Sequence, residues 1–366
     1  MSYDNLMNKQ IVIILGLTPQ GLSLLRELGK AGINTHAYYT KKHQVGVYSK
    51  YGEKHFIKSI QDFKKQIRQL LSKLDYKPLC YITSGELLAT ILREYQEIYE
   101  ECDVISAPYS VVEKLAHKDL MYNIAIQKGF KVAKYCTLDK FKEVEFSFPL
   151  FIKRNYEIPL FFKTEIILNK ETFNTYYNKI KPIERKDIIV QELIHISSQN
   201  LIEISSQSFF SKGVAKGFLT CNQKRRLKKG ITSYIEELED SILRNKVENL
   251  CSTFMKDLNY TGFAEFEFMY DKTTKDLYFI EVNTRTCGLQ SSMSHKFNNI
   301  IDVILNPYDA PTLETKTESL KWMNIIRDIR VRIEKKEFKS PLDIFHSKFD
   351  IFDIHDLKPF YKQIFR

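Results

Sequence analysis

The most constraining feature of this chain is a strongly alternating stretch at residues 263–285, which predicts a β-hairpin with one apolar and one acidic face. In its first strand Glu265 and Glu267 alternate with phenylalanines. In its second strand Glu281 and Asn283 alternate with apolar residues, among them Ile280 and Val282, and a polar run between the strands supplies the turn. A hairpin of this kind fixes which side chains face each other.

The acidic face predicts a metal site. If the hairpin is symmetric about Thr274, Glu267 lies opposite Glu281 and Glu265 lies opposite Asn283. Carboxylates that face each other across two strands repel, so a sheet that keeps them is expected to hold a cation between them. Carboxylate and amide oxygens suit Mg²⁺, which also binds phosphate oxygens.

Arg285 follows Asn283 by two residues and therefore lies on the same face, where it could neutralise the charge of a transferred phosphoryl group. The competing interpretation is an ordinary solvated strand face, because Glu and Asn are common there. The opposite face is almost wholly apolar on both strands, so the acidic face must be ordered, and this favours the metal site.

Length and charge limit the classes of protein. The chain has 366 residues, which favours two or three domains, and a net charge of +10 from 55 Lys and Arg against 45 Asp and Glu. The basic residues are scattered except at 224–229, which we interpret as a solvated loop or a phosphate clamp rather than a nucleic-acid site. We therefore expect no nucleic-acid partner and an anionic small molecule instead.

Cysteine spacing and the N-terminal region point to a cytoplasmic protein. The six cysteines lie far apart with no Cys-x-x-Cys, which indicates neither a disulfide framework nor a cysteine zinc site. Cys287 follows the hairpin, but no histidine is placed to activate it as a nucleophile. The apolar run 11–17 is too short for a signal peptide or a membrane span, so no membrane association is expected.

The first hundred residues predict a doubly wound α/β sheet. An apolar strand at 11–15, a turn from Gly16 to Gly21, a helix to about residue 30 and a strand at 32–38 form a βαβ unit. The turn lacks Gly-x-Gly-x-x-Gly, so a dinucleotide site is not favoured. The same alternation of helices and strands continues to residue 105.

Four later elements matter for the site. The pattern predicts one helix from an N-cap at Ser110 through residue 128, a strand at 148–153, a β-run at 188–194 and an amphipathic helix at 241–258 that leads into the hairpin.

The hairpin resembles the metal-binding hairpin of the ATP-grasp enzymes, whose second strand reads Glu-x-Asn-x-Arg. Residues 266–271 and 279–285 are especially similar to the biotin-carboxylase branch. Over nearly its whole length the chain resembles the carboxylate–amine ligases, which include proteins similar to D-aspartate ligase and to the carbamoyl-phosphate synthase large subunit. The resemblance implies ATP with Mg²⁺, or Mn²⁺, held by Glu267, Glu281 and Asn283, with Glu265 supporting the ligands.

Nucleotide contacts follow from the same resemblance. Lys118 begins a segment similar to the family's "Lys, then helix, then Gly-x-x-x-Pro", and Lys153 ends a strand similar to its "Pro-apolar-apolar-apolar-Lys". Both lysines are implied on the ATP phosphates, where a mobile ammonium group suits the charge. The β-run is similar to the hinge that binds adenine through its backbone, which implies four further nucleotide contacts, at Gln191, Glu192, Leu193 and Ile194.

The chain also departs from the family pattern. The loop 154–163 after Lys153 has no glycine, so Arg154 or Lys163 is expected to bind phosphate by side-chain charge, and the aromatic loop is predicted to close as a lid. Neutral residues at 197–200 stand where the family has an acid for the ribose. Among the basic residues at 224–229, Arg226 is expected to reach the γ-phosphate or the substrate carboxylate.

The resemblance implies a fold of mixed α/β and α+β class, with a Rossmann-like domain at 1–110, a two-lobed ATP-grasp domain at 111–310 whose lid subdomain spans about 135–190, and a C-terminal extension at 311–366. The implied activity is ATP-dependent amide formation between small-molecule carboxylates and amines, amino acids among the candidates, through an acyl phosphate. A degenerate ATP-binding regulator and a biotin-carboxylase-like enzyme remain as alternatives. A homodimer is left open.

Overall fold

A computed structural model describes residues 10–156, 164–227, 230–336 and 342–365. Among these residues, no helix has both the length and the apolar character needed to cross a membrane. The strands form three sheets, which are composed of five, four and seven strands within the described ranges.

The N-terminal region is the doubly wound unit that the sequence predicts. Its five strands are parallel in the order β3-β2-β1-β4-β5, with the buried strand β1 at the centre. The strands are β1 Ile11–Leu15, β2 Asn34–Tyr39, β3 Glu53–Phe56, β4 Leu79–Ile82 and β5 Asp103–Val104. The helices between them are α1 Pro19–Lys30, α2 Ile60–Leu71, α3 Gly85–Glu94 and α4 Ile98–Glu101.

Steric crowding explains the two glycines of the first turn. Gly16 has a φ of 102°, a left-handed value that residues with a Cβ rarely adopt. A Cβ on Gly21 would stand 1.9 Å from the carbonyl oxygen of Gly16. These glycines are therefore required for the turn to pack on helix α1, independently of any phosphate.

The single helix predicted from Ser110 to residue 128 is wrong. The structure has two helices, α5 Tyr109–Ala116 and α6 Lys118–Gln127, and the N-cap of the first is Pro108 rather than Ser110. His117 separates them in an extended conformation, with φ −94° and ψ 117°.

The break at His117 is stabilised by the residues that follow Lys153. The His117 ring stacks on Tyr156 with centroids 4.4 Å apart. The backbone N–H of Lys118 donates to the Asn155 carbonyl oxygen at 2.8 Å, and the N–H of Asp119 donates to Asn155 Oδ1 at 3.0 Å. Asn155 thus satisfies two of the N–H groups that the first turn of a helix leaves without partners.

The four-stranded sheet has the antiparallel order β6-β9-β7-β8 and packs on its own small apolar core with helix α7 Lys170–Lys179. Its strands are β6 Tyr135–Thr137, β7 Leu150–Arg154, β8 Glu165–Ile167 and β9 Ile188–Glu192. The predicted strands at 148–153 and 188–194 are therefore present with slightly shifted ends. Residues 157–163 of the predicted lid, including Lys163, lie outside the described residues.

The seven-stranded sheet, ordered β14-β13-β10-β11-β12-β15-β16, contains the predicted hairpin as β13 and β14 at one edge. Its strands are β10 Leu201–Ser211, β11 Val214–Arg226, β12 Thr232–Glu237, β13 Gly262–Asp271, β14 Leu277–Asn283, β15 Lys321–Met323 and β16 Lys348–Phe349. The helices of this region are α8 Ser241–Lys256, α9 Gln290–Lys296, α10 Ile300–Leu305, α11 Ile325–Lys335, α12 Leu342–Phe345 and α13 Lys358–Ile364.

The hairpin register is confirmed at the acidic positions, with Glu265 paired to Asn283 and Glu267 to Glu281. An irregularity follows Glu267, because Phe268 pairs with Phe279 and Ile280 has no partner in the register. The expectation that Ile280 lies on the buried face is therefore wrong: Ile280 is half-buried, while Phe279 and Val282 are buried.

Two further regions refine the sequence reading. Lys224, Arg225 and Arg226 belong to strand β11 rather than to a loop, and residues 228–229 lie outside the described residues. Trp322 is fully buried and its indole N–H donates to Ser291 Oγ at 2.8 Å.

The domain boundaries 1–110, 111–310 and 311–366 stay a prediction. The three sheets lie within residues 11–104, 135–192 and 201–349.

A buried ion pair attaches the C-terminal segment to the N-terminal sheet. Arg26 of helix α1 donates from Nε to Asp356 Oδ2 at 3.0 Å, and the two side chains are 6% and 1% exposed. Asp356 also accepts from Ser49 Oγ at 2.7 Å and from the backbone N–H of Lys50 at 3.0 Å. Removing one member of such a pair leaves a buried charge without its partner.

We therefore expect Arg26→Met to lower the free energy of unfolding by about 3–5 kcal/mol. Lys30→Met is the matched control, because Lys30 lies on the same helix and pairs with Asp353 of the same C-terminal segment, but its side chain is 43% exposed. Its loss should cost at most about 1 kcal/mol. Urea unfolding monitored by circular dichroism tests both variants. Equal decreases in the free energy of unfolding would show that the buried ion pair stabilises the fold no more than the exposed one.

Candidate functional site

The acidic face is assembled by three neighbouring strands. Strand β10 pairs with β13 and places Ser205 beside Glu267 and Gln207 beside Glu265. Glu265 is 5% exposed and accepts a hydrogen bond from Ser205 Oγ at 2.6 Å, and Asn283 Nδ2 lies 3.4 Å from its other oxygen. Glu265 is therefore held inside the sheet, whereas Glu267 and Glu281 are only partly buried.

Lys118 joins this face from helix α6. Its Nζ lies 2.8 Å from Glu281 Oε2, with the two side chains 18% and 28% exposed. The Lys118 ammonium lowers the pKa of Glu281 to about 2 against the opposing effect of burial. Glu281 is therefore fully ionised at neutral pH and already has one cationic partner.

Glu267 has the opposite electrostatic environment. Burial, with further contributions from the Glu265 and Glu281 carboxylates, raises the pKa of Glu267 well above its usual range, and the charges of Lys118 and Arg226 only partly offset this. The ionised form of Glu267 thus lacks sufficient positive charge in the protein alone. A divalent cation at this face would supply it.

Lys153 lies close to the same group. It is 9% exposed, its Nζ contacts the Tyr122 hydroxyl, and it stands 4.9 Å from the centre of the Tyr122 ring. Burial, followed by the nearby Lys118 charge, lowers the pKa of Lys153 to about 7 against the opposing effect of Glu281. The structure thus brings Lys118, Lys153 and Glu281 into one electrostatically coupled group.

Tyr122 is a site residue that the sequence reasoning missed. Its hydroxyl donates to the Ile280 carbonyl oxygen at 2.9 Å while it contacts Lys153, so it links the hairpin to the four-stranded sheet. Its spacing from Lys118 could have identified it, because Tyr122 follows Lys118 by four residues on a helix and both side chains therefore lie on the same face.

Arg285 and Arg226 have different hydrogen-bond and ion-pair partners. Arg285 Nη2 donates to Asn283 Oδ1 at 3.0 Å and its Nη1 donates to the Thr286 carbonyl oxygen at 3.2 Å, so it lies beside the acidic group. Arg226 forms an ion pair with Glu203 of strand β10 and is near enough to Glu267 to lower the pKa of that carboxyl.

Within the basic run, Arg225 has a different role. Its guanidinium donates to Asp328 Oδ1 at 2.8 Å and to Asp343 Oδ2 at 2.9 Å, and it covers the Tyr234 ring. Lys224 lies 3.4 Å from Glu236. Of the three described bases, Arg226 is therefore the one whose charge affects the acidic face.

The predicted hinge lies at the end of strand β9. Gln191 is buried and its Nε2 donates to the Ala133 carbonyl oxygen at 3.3 Å. The Leu193 N–H donates to the Pro149 carbonyl oxygen at 3.1 Å, whereas the Ile194 N–H has no hydrogen-bond partner among the described residues. Glu192 accepts at Oε1 from the Ser147 N–H at 3.1 Å, which fixes its side chain at the edge of the sheet.

Burial disfavours Cys287 as a nucleophile. It is 2% exposed, its thiol donates to Gln207 Oε1 at 3.1 Å, and burial raises its pKa well above the usual range. All six cysteines are buried as free thiols.

Sequence comparison places the acidic hairpin within a known domain. Residues 219–297 match the family described as the carbamoyl-phosphate synthase L chain, ATP binding domain. No curated protein matches the chain by sequence.

Solved structures match most of the chain at low identity. The N5-carboxyaminoimidazole synthetase of Staphylococcus aureus, complexed with ADP, is 14% identical with a TM-score of 0.69 over 87% of this chain and 82% of its own. The biotin carboxylase domain of Hydrogenobacter thermophilus 2-oxoglutarate carboxylase, a dimer with MgADP, ADP and bicarbonate, is 17% identical with a TM-score of 0.64 over 85% and 71%. The L-amino acid ligase of Bacillus licheniformis is 13% identical with a TM-score of 0.62 over 83% and 75%. The chain therefore shares the two-lobed ATP-grasp fold of these structures.

Proposed function

We propose that this protein is an ATP-dependent carboxylate–amine ligase that forms an amide through an acyl phosphate and releases ADP and phosphate. The observation that carries the proposal is the contact of Lys118 with Glu281 at 2.8 Å. The contact brings together an ammonium group, which suits phosphate, and a carboxylate, which suits Mg²⁺. This supports the proposal, because binding a nucleotide with its metal ion needs both kinds of group.

The donor set fits Mg²⁺, with Mn²⁺ as an alternative. Glu267, Glu281 and Asn283 would hold the ion, since they offer hard oxygen ligands from two paired strands. The raised pKa of Glu267 supports this fit, because it reflects burial of the carboxyl together with neighbouring carboxylates that Lys118 and Arg226 only partly offset. When bound, the ion would neutralise charge on the phosphate oxygens of ATP.

The protein's own residues would bind and orient the phosphates. Lys118 and Lys153 approach from a helix and a strand that Asn155 connects, so their relative position is fixed by the fold. Arg285 and Arg226 would offset the charge of the phosphoryl group in transit. Backbone groups at the end of β9, including the Glu192 carbonyl and the Ile194 N–H, would bind adenine, with Gln191 and Leu193 as their immediate neighbours.

The proposed reaction needs no covalent enzyme nucleophile. A substrate carboxylate oxygen bonds to the γ-phosphorus while the bond to the β–γ bridging oxygen breaks, and ADP leaves. The amine nitrogen then bonds to the acyl carbon, the carbon–oxygen bond to phosphate breaks, and the amine loses a proton. Catalysis would come from orientation and charge stabilisation.

Small-molecule substrates are supported by the relatives, since the structure from Bacillus licheniformis is an L-amino acid ligase. A carboxylase is the second candidate, favoured by similarity to a biotin carboxylase domain that was crystallised with bicarbonate. That domain is also a dimer, which supports testing for a homodimer here. The three-part domain division and a cytoplasmic location are part of the same proposal.

A screen of phosphate release identifies the reaction class. The purified protein is incubated with ATP, Mg²⁺ and pools of carboxylates and amines, and in parallel with bicarbonate. Phosphate release that depends on both a carboxylate and an amine, with an amide detected by mass spectrometry, supports the ligase. Release that depends on bicarbonate supports the carboxylase. No stimulated release in any arm, with ATP still bound, would support a regulatory ATP-binding protein.

The metal assignment predicts the effect of Glu281→Gln. The variant keeps the side-chain shape but removes one anionic ligand and the partner of Lys118, so we expect kcat to fall at least about 100-fold. Asp276→Asn is the matched control, because Asp276 lies at the turn end of the same hairpin and pairs with Lys131. It should retain wild-type phosphate release, and wild-type turnover by Glu281→Gln itself would disprove the assignment.

The nucleotide assignment predicts weaker ATP binding in Lys118→Met and Lys153→Met. Each change removes a positive charge from the proposed phosphate site, so calorimetry should show affinity reduced at least about tenfold. Lys128→Met is the control, since Lys128 lies just beyond helix α6 and pairs with Asp257 on the surface. Unchanged affinity in both test variants would exclude this placement of the phosphates.

The lowered pKa of Lys153 predicts that ATP binding takes up a proton above neutral pH. Near pH 8 the free protein holds Lys153 mostly neutral, because its pKa is about 7. Bound phosphate favours the ammonium form, so affinity should fall by up to about tenfold per pH unit above 7. The terminal phosphate of ATP titrates near 6, so measurements at pH 7.5–9 avoid its contribution.

Calorimetry in buffers with different ionisation enthalpies measures this proton uptake directly. Wild type should take up close to one proton at pH 8.5, and Lys153→Met should take up markedly less. Equal uptake by both proteins would show that Lys153 is not the group that titrates.

A further inference from the structure

Two histidines and a glutamate form a compact group on the N-terminal sheet. Within the part of the chain that the structure describes, His36, Glu53 and His55 place one ligand atom each within 4.8 Å of the others. Strands β2 and β3 are parallel and pair His36 with Glu53 and Tyr38 with His55. Because side chains alternate along a strand, Glu53 and His55 share the face that also carries His36.

One hydrogen bond accounts for the contact between the two imidazoles, but it does not account for the position of Glu53 beside both of them. His36 Nδ1 lies 2.9 Å from His55 Nε2. The two oxygens of Glu53 lie 3.7 Å from His36 Nδ1 and 3.5 Å from His55 Nε2. A proton can bridge only one pair of these four atoms, whereas a cation between them can contact all three residues.

A tetrahedral zinc ion sets a definite spacing for its ligands. With zinc–nitrogen and zinc–oxygen bonds of about 2.0–2.2 Å, neighbouring ligand atoms stand about 3.3–3.6 Å apart. The three observed separations, 2.9, 3.5 and 3.7 Å, lie on either side of this spacing. Glu53, whose side chain is 64% exposed, can adjust its two distances to this spacing. The imidazole nitrogens stand closer than this spacing, so binding a zinc ion requires them to separate by about 0.4–0.7 Å.

The surrounding side chains hold the imidazoles in place. The His36 and His55 side chains are 11% and 22% exposed, and their rings are nearly parallel with centroids 5.1 Å apart. The Tyr38 ring stacks on His55 at 4.8 Å.

We propose that His36, His55 and Glu53 bind a zinc-class divalent cation that fastens the edge strand β3 to strand β2. Two imidazole nitrogens and one carboxylate suit Zn²⁺ and its neighbours Ni²⁺ and Cu²⁺, whereas Mg²⁺ and Ca²⁺ prefer sites made of oxygen ligands alone. The exposed side of Glu53 leaves a fourth position to water, as in zinc sites with three protein ligands.

This site is independent of the proposed ATP site. His36 and His55 lie on the five-stranded parallel sheet, whereas the acidic hairpin belongs to the seven-stranded sheet. Its expected consequence is greater stability of the N-terminal sheet, because a ligand that binds only the folded state stabilises that state. Activity with ATP is not required to observe it, so the proposal and the ligase assignment can fail separately.

Zinc titration of the full, tag-free chain after treatment with chelator tests the proposal. We expect one equivalent of Zn²⁺ to bind the wild type, in competition with a chromophoric chelator, and to raise the melting temperature. His36→Gln, His55→Gln and Glu53→Gln should each weaken binding at least about tenfold, since losing a supporting residue alone costs 10–100-fold. Glu53→Gln is the variant least able to disturb folding because its side chain is exposed.

Two controls identify the location of the metal. His43→Gln changes an exposed histidine near β2 and should bind Zn²⁺ like the wild type. Glu281→Gln should also retain the zinc equivalent, because it changes only the acidic hairpin. Co²⁺ bound to the wild type should show the intense visible absorption of four-coordinate cobalt, and His36→Gln should lose it.

Absence of a bound equivalent in the wild type, or wild-type affinity in the two histidine variants, would overturn the proposal. Wild-type affinity in Glu53→Gln would overturn the three-ligand assignment. Loss of zinc in Glu281→Gln with retention in His36→Gln would place the ion at the hairpin instead.

Discussion

The ion pair between Lys118 and Glu281 is the interaction on which the arrangement of the candidate site depends. It joins the first residue of helix α6 to the outer strand of the acidic hairpin, two elements separated by more than a hundred residues in the sequence. Lys118 lowers the pKa of Glu281 and, after burial, is the second cause of the lowered pKa of Lys153, whereas Glu281 raises the pKa of Lys153. A change at Lys118 or Glu281 therefore alters the protonation of Lys153. In the proposed function, Glu281 would bind the metal ion and Lys118 would bind phosphate, so both would lose their ion pair with each other. Without these ligands, the two side chains neutralise each other.

Charge balance explains why the pair and its neighbours can exist without a ligand. Glu281 is neutralised by Lys118, Glu265 accepts from Ser205, and Arg226 pairs with Glu203, whereas Glu267 has no comparably close cation among the residues that the structure describes. The site thus lacks positive charge at the hairpin, and at Lys153 it lacks negative charge, because burial and Lys118 disfavour the ammonium form. Such opposite imbalances suit a ligand that combines a divalent cation with phosphates.

The sequence predicted the features that depend on local periodicity. The pairing of Glu267 with Glu281 follows from alternation and from the position of the turn, both readable over twenty residues. The irregularity that leaves Ile280 unpaired could not be predicted from the hairpin sequence, because it involves a hydrogen bond from Tyr122, on a distant helix, to the Ile280 carbonyl oxygen. The His36, Glu53 and His55 group was also missed, since its members become neighbours only through the pairing of β2 with β3.

The break at His117 shows why the glycine-free loop is compatible with this fold. A glycine-rich segment after Lys153 would have no side chain to accept from the N–H of Asp119, whereas Asn155 accepts it and also binds Lys118 through its carbonyl. Such a cap is worth about 1 kcal/mol, and here it also fixes the helix residue that meets Glu281. The departure from the ATP-grasp pattern at residues 154–156 therefore has a structural role: the chain uses these positions to orient Lys118.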